Sequence, residues 1–154
     1  MSINENLGIQ WNGDQTAHRT IVPKKFATLW NGSGATIAAG QCVQLDLSVT
    51  TQGVGKAIKL SDNATPLQAI GGTVKAIPNL DWGQVQIEGD QESVNVLDAA
   101  TAGTYLIPDG TTDGRLASVP AGMTTDDAVV VAFALTDGDG SNLGTVRWCN
   151  PQKL

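Results

Sequence analysis

A chain of 154 residues fits one domain and is long enough to fold without a metal or disulfide staple. Charged residues make up only 16%, and 18 glycines with 6 prolines exclude a helical bundle while suiting many tight turns. The formal net charge of −6 argues against nucleic acid, because an acidic surface repels the phosphate backbone.

The opening residues MSINENL have neither a basic n-region nor an apolar h-region, so no secretory signal is expected. No apolar run approaches the roughly 18 residues of a membrane span. The expectation is a protein made in a cytoplasm. There Cys42 and Cys149, far apart and in no metal-type spacing, stay reduced.

Residues 1–26 show no sustained periodicity and read as an extended N-terminal arm ahead of a body at 27–154. Within the arm, Ile9 and Trp11 lie two apart, as do Ile21 and Pro23, so short strand-like pieces place apolar groups on one face. Arg19, Lys24 and Lys25 outweigh Glu5 and Asp14, giving the arm +1 against −7 for the rest. A mildly basic arm on an acidic body suits an acidic partner.

From Phe26 onward the pattern becomes that of strands. At 41–47, Val43, Leu45 and Leu47 alternate with Cys42, Gln44 and Asp46. Residues 83–88 alternate more cleanly, with Val85 and Ile87 inward and Gln84, Gln86 and Glu88 outward; 92–96 and 144–148 repeat the pattern. Further strands are expected at 26–30, 55–60, 72–77, 103–107 and 114–119. Residues 128–135 are apolar throughout, with large Val129, Val131, Phe133 and Leu135 on one face and small Ala132 and Ala134 on the other. Such a strand is covered on both sides, so the arm, a loop or a neighbouring subunit must lie over the alanines. Turns are expected at 31–34, 88–91, 108–110, 112–114 and 137–140, and a short helical turn is allowed at 95–102 and 124–127. No sequence repeat is evident. The fold class that follows is all-β, a small β-barrel or sandwich of about 8–10 short strands with an extended N-terminal arm.

Catalytic chemistry finds little support. His18, the single histidine, lies in the arm away from any expected pocket wall. Cys42 and Cys149 fall on the polar faces of their strands, with no histidine assigned nearby as a base. Residues 137–142 (DGDGSN) resemble the start of a calcium loop, but the sixth and twelfth positions of an EF-hand fall on Asn142 and Trp148, so a hairpin turn is the better reading. Glu88, Asp90 and Glu92 cluster around an expected turn, where a solvated tip outweighs a glycosidase pair. The glycines at 32, 34, 71 and 72 precede no helix that would hold a phosphate. No cofactor and no metal are expected. Of the four tryptophans, Trp30 and Trp148 are expected in the core, while Trp11 and Trp82 are candidate interface anchors.

The body resembles the decoration, or cement, proteins of tailed-bacteriophage capsids. The matching stretches are 31–43 (NGSGATIAAGQCV), 69–74 (AIGGTV), 82–89 (WGQVQIEG), and 114–116 (GRL) followed by 129–135 (VVVAFAL). The resemblance spans roughly residues 27–150. It implies a non-enzymatic β-barrel that clusters in threes on the outer capsid surface, bridges capsomers and binds the major capsid protein. An extended arm adds a strand to a partner's sheet edge, with main-chain hydrogen bonds supplying affinity. The expected partner-binding residues are Ile9, Trp11, Arg19, Ile21, Lys24, Lys25 and Trp82. Two other readings are carried: a tail or fibre module that binds a host glycan through Trp82 and Asp81, and a hydrolase using Glu88, Asp90 or Glu92.

Overall fold

The computed structural model describes residues 9–10, 19–20, 23–62, 68–120 and 129–153, the backbone alone being described at 9–10, 19–20 and 150–153. It is all-β, with no α-helix among the described residues. Two short strands, β1 (Ile9–Gln10) and β2 (Arg19–Thr20), pair antiparallel with each other. The remaining strands are β3 (Lys25–Asn31), β4 (Cys42–Leu45), β5 (Ala57–Leu60), β6 (Ala69–Thr73), β7 (Trp82–Asn95), β8 (Tyr105–Pro108), β9 (Leu116–Ser118), β10 (Val129–Ala134) and β11 (Leu143–Lys153). These nine form one continuous sheet in the order β3-β5-β4-β6-β7-β11-β10-β8-β9.

The additional pairing of β3 with β7 closes the first five strands into a barrel. Its interior is filled by Leu29, Ile37, Val43, Ile58, Ile77 and Val85. Period-two alternation does this: Ala27 and Leu29 of β3 point in, while Phe26 and Thr28 point out. Closure leaves no free edge along most of the barrel.

β7 is one strand of 14 residues, where the sequence suggested two strands joined by a turn at 88–91. Its first half pairs with β3 and β6, and its second half pairs with β11. Glycine makes the passage possible. Gly89 has φ +89, and a Cβ there would lie 2.8 Å from the Pro23 carbonyl oxygen, so no other residue fits without displacing the start of β3. Ser93, at φ 55, absorbs a second bend. The expected solvated tip is therefore absent. Glu88 pairs with Lys25, and Asp90 receives both Arg147 Nε (2.7 Å) and Nη2 (3.1 Å) across the sheet.

The second half of β7 begins a second barrel that repeats the first strand for strand. In the first, β3 runs parallel to β5, then β5, β4, β6 and β7 pair antiparallel in turn. In the second, β7 meets β9 through the parallel bridge Val96↔Leu116, then β9, β8, β10 and β11 follow antiparallel. The correspondence extends to single hydrogen bonds. Gly40 N–H donates to Thr73 O and Gly103 N–H to Ala134 O, both at 2.9 Å. Asp46 N–H donates to Ala57 O and Asp109 N–H to Arg115 O, both at 2.8 Å. Asp46 Oδ1 caps Ser48 N, and Asp109 Oδ1 caps Thr111 N, each at 3.1 Å. Interior residues match as well: Leu29 with Val94, Val43 with Leu106, Ile58 with Leu116, and Val85 with Val146.

The two barrels meet along a bonded joint. Asn95 N–H donates to Gly40 O (2.8 Å), Cys42 N–H to Gly114 O (2.8 Å) and Gly114 N–H to Ser61 O (2.9 Å). Cys42 and Ala69 of the first barrel join the core of the second, beside Trp148. This corrects the placement of Cys42 on a polar face: it is fully buried, because the second barrel covers that side of β4. It also answers what lies over the small face of β10, since Ala132 and Ala134 pack into the chain's own core. Trp148 is buried as expected, whereas Trp30 is only half-buried, its ring lying over Gly32. Residues 95–102 form no helix; they hold the end of β7, the bridge at Val96 and a turn. The other suggested helical turn, at 124–127, lies outside the described residues.

Burial sets the chemistry of the thiols. Both are free, and burial pushes Cys42 up to about 12 and raises the half-buried Cys149 as well. Since the thiolate is the reactive form, alkylation of the native protein near neutral pH is expected to be slow at Cys149 and absent at Cys42. Mass spectrometry of native and urea-unfolded samples checks this, with Cys42 modified only after unfolding and Cys149 modified faster once unfolded.

Candidate functional site

The residues expected to meet a partner fall in three groups. Ile9 and Arg19 lie on the paired strands β1 and β2, where Ile9 faces Thr20 and Gln10 faces Arg19 in register. Trp11 and Ile21, with His18, lie outside the described residues. Lys24, Lys25 and Trp82 are exposed on the first barrel. Lys24 leads into β3, its Cα against Gly89, and Lys25 opens β3 in a surface ion pair with Glu88. Such exposed pairs contribute little to stability, which leaves these cations available to a partner.

Trp82 opens β7 directly opposite Trp30 on β3 and remains 43% exposed. Asp81 Oδ1 accepts its backbone N–H at 2.7 Å, which fixes the start of the strand. A shallow cleft runs beside the indole, lined by Val74, Lys75, Ala76, Ile77, Gly83 and Gln84. Leu80, two residues before Trp82, is also exposed, held at φ 62 while its N–H donates to Asn31 O (2.8 Å). Asn31 is wholly buried and anchors this corner: its Nδ2 reaches the carbonyls of Ala35 and Ile77, and its Oδ1 accepts from Ser33. The surface around Trp82 is thus rigid, apolar at its centre and bordered by a lysine, as interface anchors are.

Sequence reading missed two exposed aromatics. Phe26, 48% exposed, shares the outer face of β3 with Thr28. Tyr105, 51% exposed, stands on β8 edge-to-face with Phe133 of β10, their ring centroids 5.7 Å apart. The period-two spacing of Phe26, Thr28 and Trp30 carried the first signal; Tyr105 stands out only once β8 is seen beside β10.

Of the carboxylates proposed for other chemistry, Glu88, Asp90, Asp137 and Asp139 are occupied by the chain itself, while Glu92 is exposed. In the 137–142 loop, Asp139 Oδ1 accepts from Ser141 N (2.8 Å) and Leu143 N (3.1 Å), and Asp137 Oδ1 from Ala102 N (2.7 Å). That is a hairpin turn between β10 and β11. No group of three metal-ligating side chains occurs among the described residues. Asp109 is the most embedded acid among the described residues. Burial pushes its pKa up, but the Arg115 guanidinium (Nε to Oδ2, 2.6 Å) and bonds from Thr111 outweigh this and hold it below the ordinary value.

A depressed carboxylate contributes stability above its unfolded pKa of about 3.9 and loses it as pH falls through the folded value. Asp109→Asn is therefore expected to lower stability at neutral pH by about 1–2 kcal/mol, with the gap from wild type narrowing as pH falls below the unfolded value of about 3.9. Urea unfolding across that range measures it; a constant gap would remove Asp109 as the source.

Comparison with protein families finds no match, and neither does comparison with curated proteins. Among solved structures, the fold is similar to the head fiber gp8.5 N base of bacteriophage phi29. The TM-score is 0.52 at 16% identity, covering 86% of this chain and 98% of that one. The likeness therefore runs through nearly the whole two-barrel arrangement and is one of fold.

Proposed function

We propose that this chain is a structural, non-enzymatic protein of a phage virion, a decoration protein bound to the outer surface of the major capsid protein shell. The observation that carries the reading is the fold shared with a phage head-fibre base over 86% of the chain. The surface adds to it. Its exposed large side chains include aromatics held rigidly by strands, while two of the three acidic side chains named for hydrolysis, Glu88 and Asp90, are tied into ion pairs. In this reading the body self-associates, as a homotrimer, and the arm with Lys24, Lys25 and the Trp82 surface engages the shell. Stabilisation comes from many copies acting together, since ordering each arm costs free energy. Neither nucleic acid nor membrane takes part.

Co-sedimentation with shells of the encoding phage tests it. The full chain is expected to pellet with shells, and a chain lacking residues 1–22 or carrying Trp82→Ala to remain largely in the supernatant while keeping its β-sheet circular dichroism. Equal pelleting of the truncated form would end the assignment to the arm. A fibre module that binds a host glycan is the second reading, favoured by the head-fibre neighbour and by exposed Trp82 beside Asp81. Selective binding on a glycan array, abolished by Trp82→Ala, would favour it over the capsid reading.

A further inference from the structure

The acidity of the body is confined to one barrel. Residues 23–88, the first barrel, hold five lysines against four acids, whereas residues 89–154 hold nine acids against three cations. In the second barrel both arginines are already committed, Arg147 to Asp90 and Arg115 to Asp109. Glu92, Asp98, Asp113, Asp137 and Asp139 are exposed there and stand outside every ion pair of the described residues. Apolar surface is divided the other way. Of the exposed large apolar side chains among the described residues, only Tyr105 and Leu143 belong to the second barrel; the other five, Val54 and Trp82 among them, belong to the first.

Two lysines of the first barrel flank its tryptophan pair. Trp30 and Trp82 stand directly opposite each other on β3 and β7, so both side chains share the outer face of the sheet. On the β3 side, Trp30 N–H donates to Lys56 O at 2.9 Å, which ties in the loop joining β4 to β5. That loop presents Val54, 77% exposed, between Gly53 and Gly55, whose φ of +102 and +74 turn the chain on either side of it. On the β6 side, Lys75 lines the cleft beside Trp82. Lys56 and Lys75 are exposed and pair with no acid among the described residues, unlike Lys25 and Lys59, which Glu88 and Asp62 hold. Asp81, the neighbouring acid, turns its carboxylate to the Trp82 N–H.

We infer that the Trp30–Trp82 end of the first barrel, with Lys56 and Lys75 at its rim, docks on a carboxylate-bearing patch of the shell protein, and that the acidic second barrel points away from the shell. The indoles supply the desolvated centre of the contact and the lysines its charged rim. Rim cations steer the approach and set which partner is accepted, here one rich in carboxylates. The same patch repels the second barrel, so the division of charge fixes which way the molecule stands. The inference rests on the shell-binding reading of the proposed function, and it adds the half of the molecule that makes contact and the chemistry that receives it.

Two charge-reversed forms of the full chain test it by co-sedimentation with shells of the encoding phage. Lys56→Glu with Lys75→Glu is expected to weaken binding about tenfold or more. Glu92→Lys with Asp113→Lys, on the second barrel, is expected to bind at least as well as the wild type. All four side chains are exposed, so the fold is expected to persist, checked by circular dichroism. Zero-length carbodiimide coupling of wild type on shells is expected to join Lys56 and Lys75 to carboxylates of the shell protein. Wild-type binding that the lysine reversals leave unchanged, or that the acid reversals weaken as much, would overturn the inference and leave the shell reading standing. So would coupling of Lys56 or Lys75 to Glu92 or Asp113 of another copy, which assigns the surface to self-association. Shells that stay bare of wild type would end the shell reading and the inference with it.

Discussion

Replacing Trp148 by alanine is expected to remove about 3–5 kcal/mol of stability, a large part of what a domain this size possesses. The indole is 2% exposed and sits where the two barrels share a core, beside Cys42 and Ala69 from one and Val131 and Val146 from the other. Its loss opens a cavity that strands pinned on both sides cannot collapse to fill. It also leaves Gln91 Oε1 without the indole N–H that donates to it at 2.7 Å. Trp148→Phe separates the two effects. It keeps most of the volume and gives up the hydrogen bond, so a smaller loss of about 1–2 kcal/mol is expected. Trp30→Ala, at a half-buried ring on the outer face, is expected to cost less than Trp148→Ala. Urea unfolding followed by circular dichroism measures all three; equal losses at Trp30 and Trp148 would contradict a core shared at the joint.

Gly40→Ala is expected to be the second most damaging change, and Gly103→Ala supplies its control. Both glycines have left-handed backbone, φ +75 and +85, and each donates its N–H to the fourth strand of its barrel, at Thr73 O of β6 or Ala134 O of β10. The conformational cost of a Cβ, about 1–2 kcal/mol, is thus common to the pair. Only Gly40 lies at the joint, where a Cβ would stand 2.1 Å from Ser93 O, a backbone atom in a strand paired on its other side. Overpacking there adds about 1–3 kcal/mol. The difference between the two variants, measured on dilute monomeric protein, reads the energy of the joint. Indistinguishable losses would mean that the barrels do not depend on close approach at Gly40.

Much of this architecture was legible in the sequence because alternation reports which side of a strand is dry. Val85 and Ile87, Val43 and Leu45, and the apolar run at 129–134 all lie in strands facing a core. Alternation failed where a strand has two dry sides. Cys42 and Gln44 read as solvent-facing but are buried, Cys42 by the second barrel and Gln44 through its bond to Asp62 N. Glycine at 89 read as a turn because a left-handed residue between two alternating runs usually reverses the chain; here the strand bends and continues into new partners. The repeat was hidden for a related reason. It is written in backbone pairing, which tolerates Cys42 against Tyr105 and Gly72 against Phe133, and those swaps mark where one barrel is covered and its counterpart is not. Of the expected site, Trp82 and the two lysines were readable as exposed groups flanking strand starts. Phe26 was readable from its period-two spacing with Thr28 and Trp30, whereas Tyr105 needed the neighbour that only pairing reveals.

The most direct measurement is electron cryomicroscopy of shells of the encoding phage after incubation with the full chain. Regular density on the outside of the lattice, with each copy resolved as two joined barrels, is the result this reading requires. Bare shells beside unbound protein, at concentrations where the chain self-associates, would contradict it.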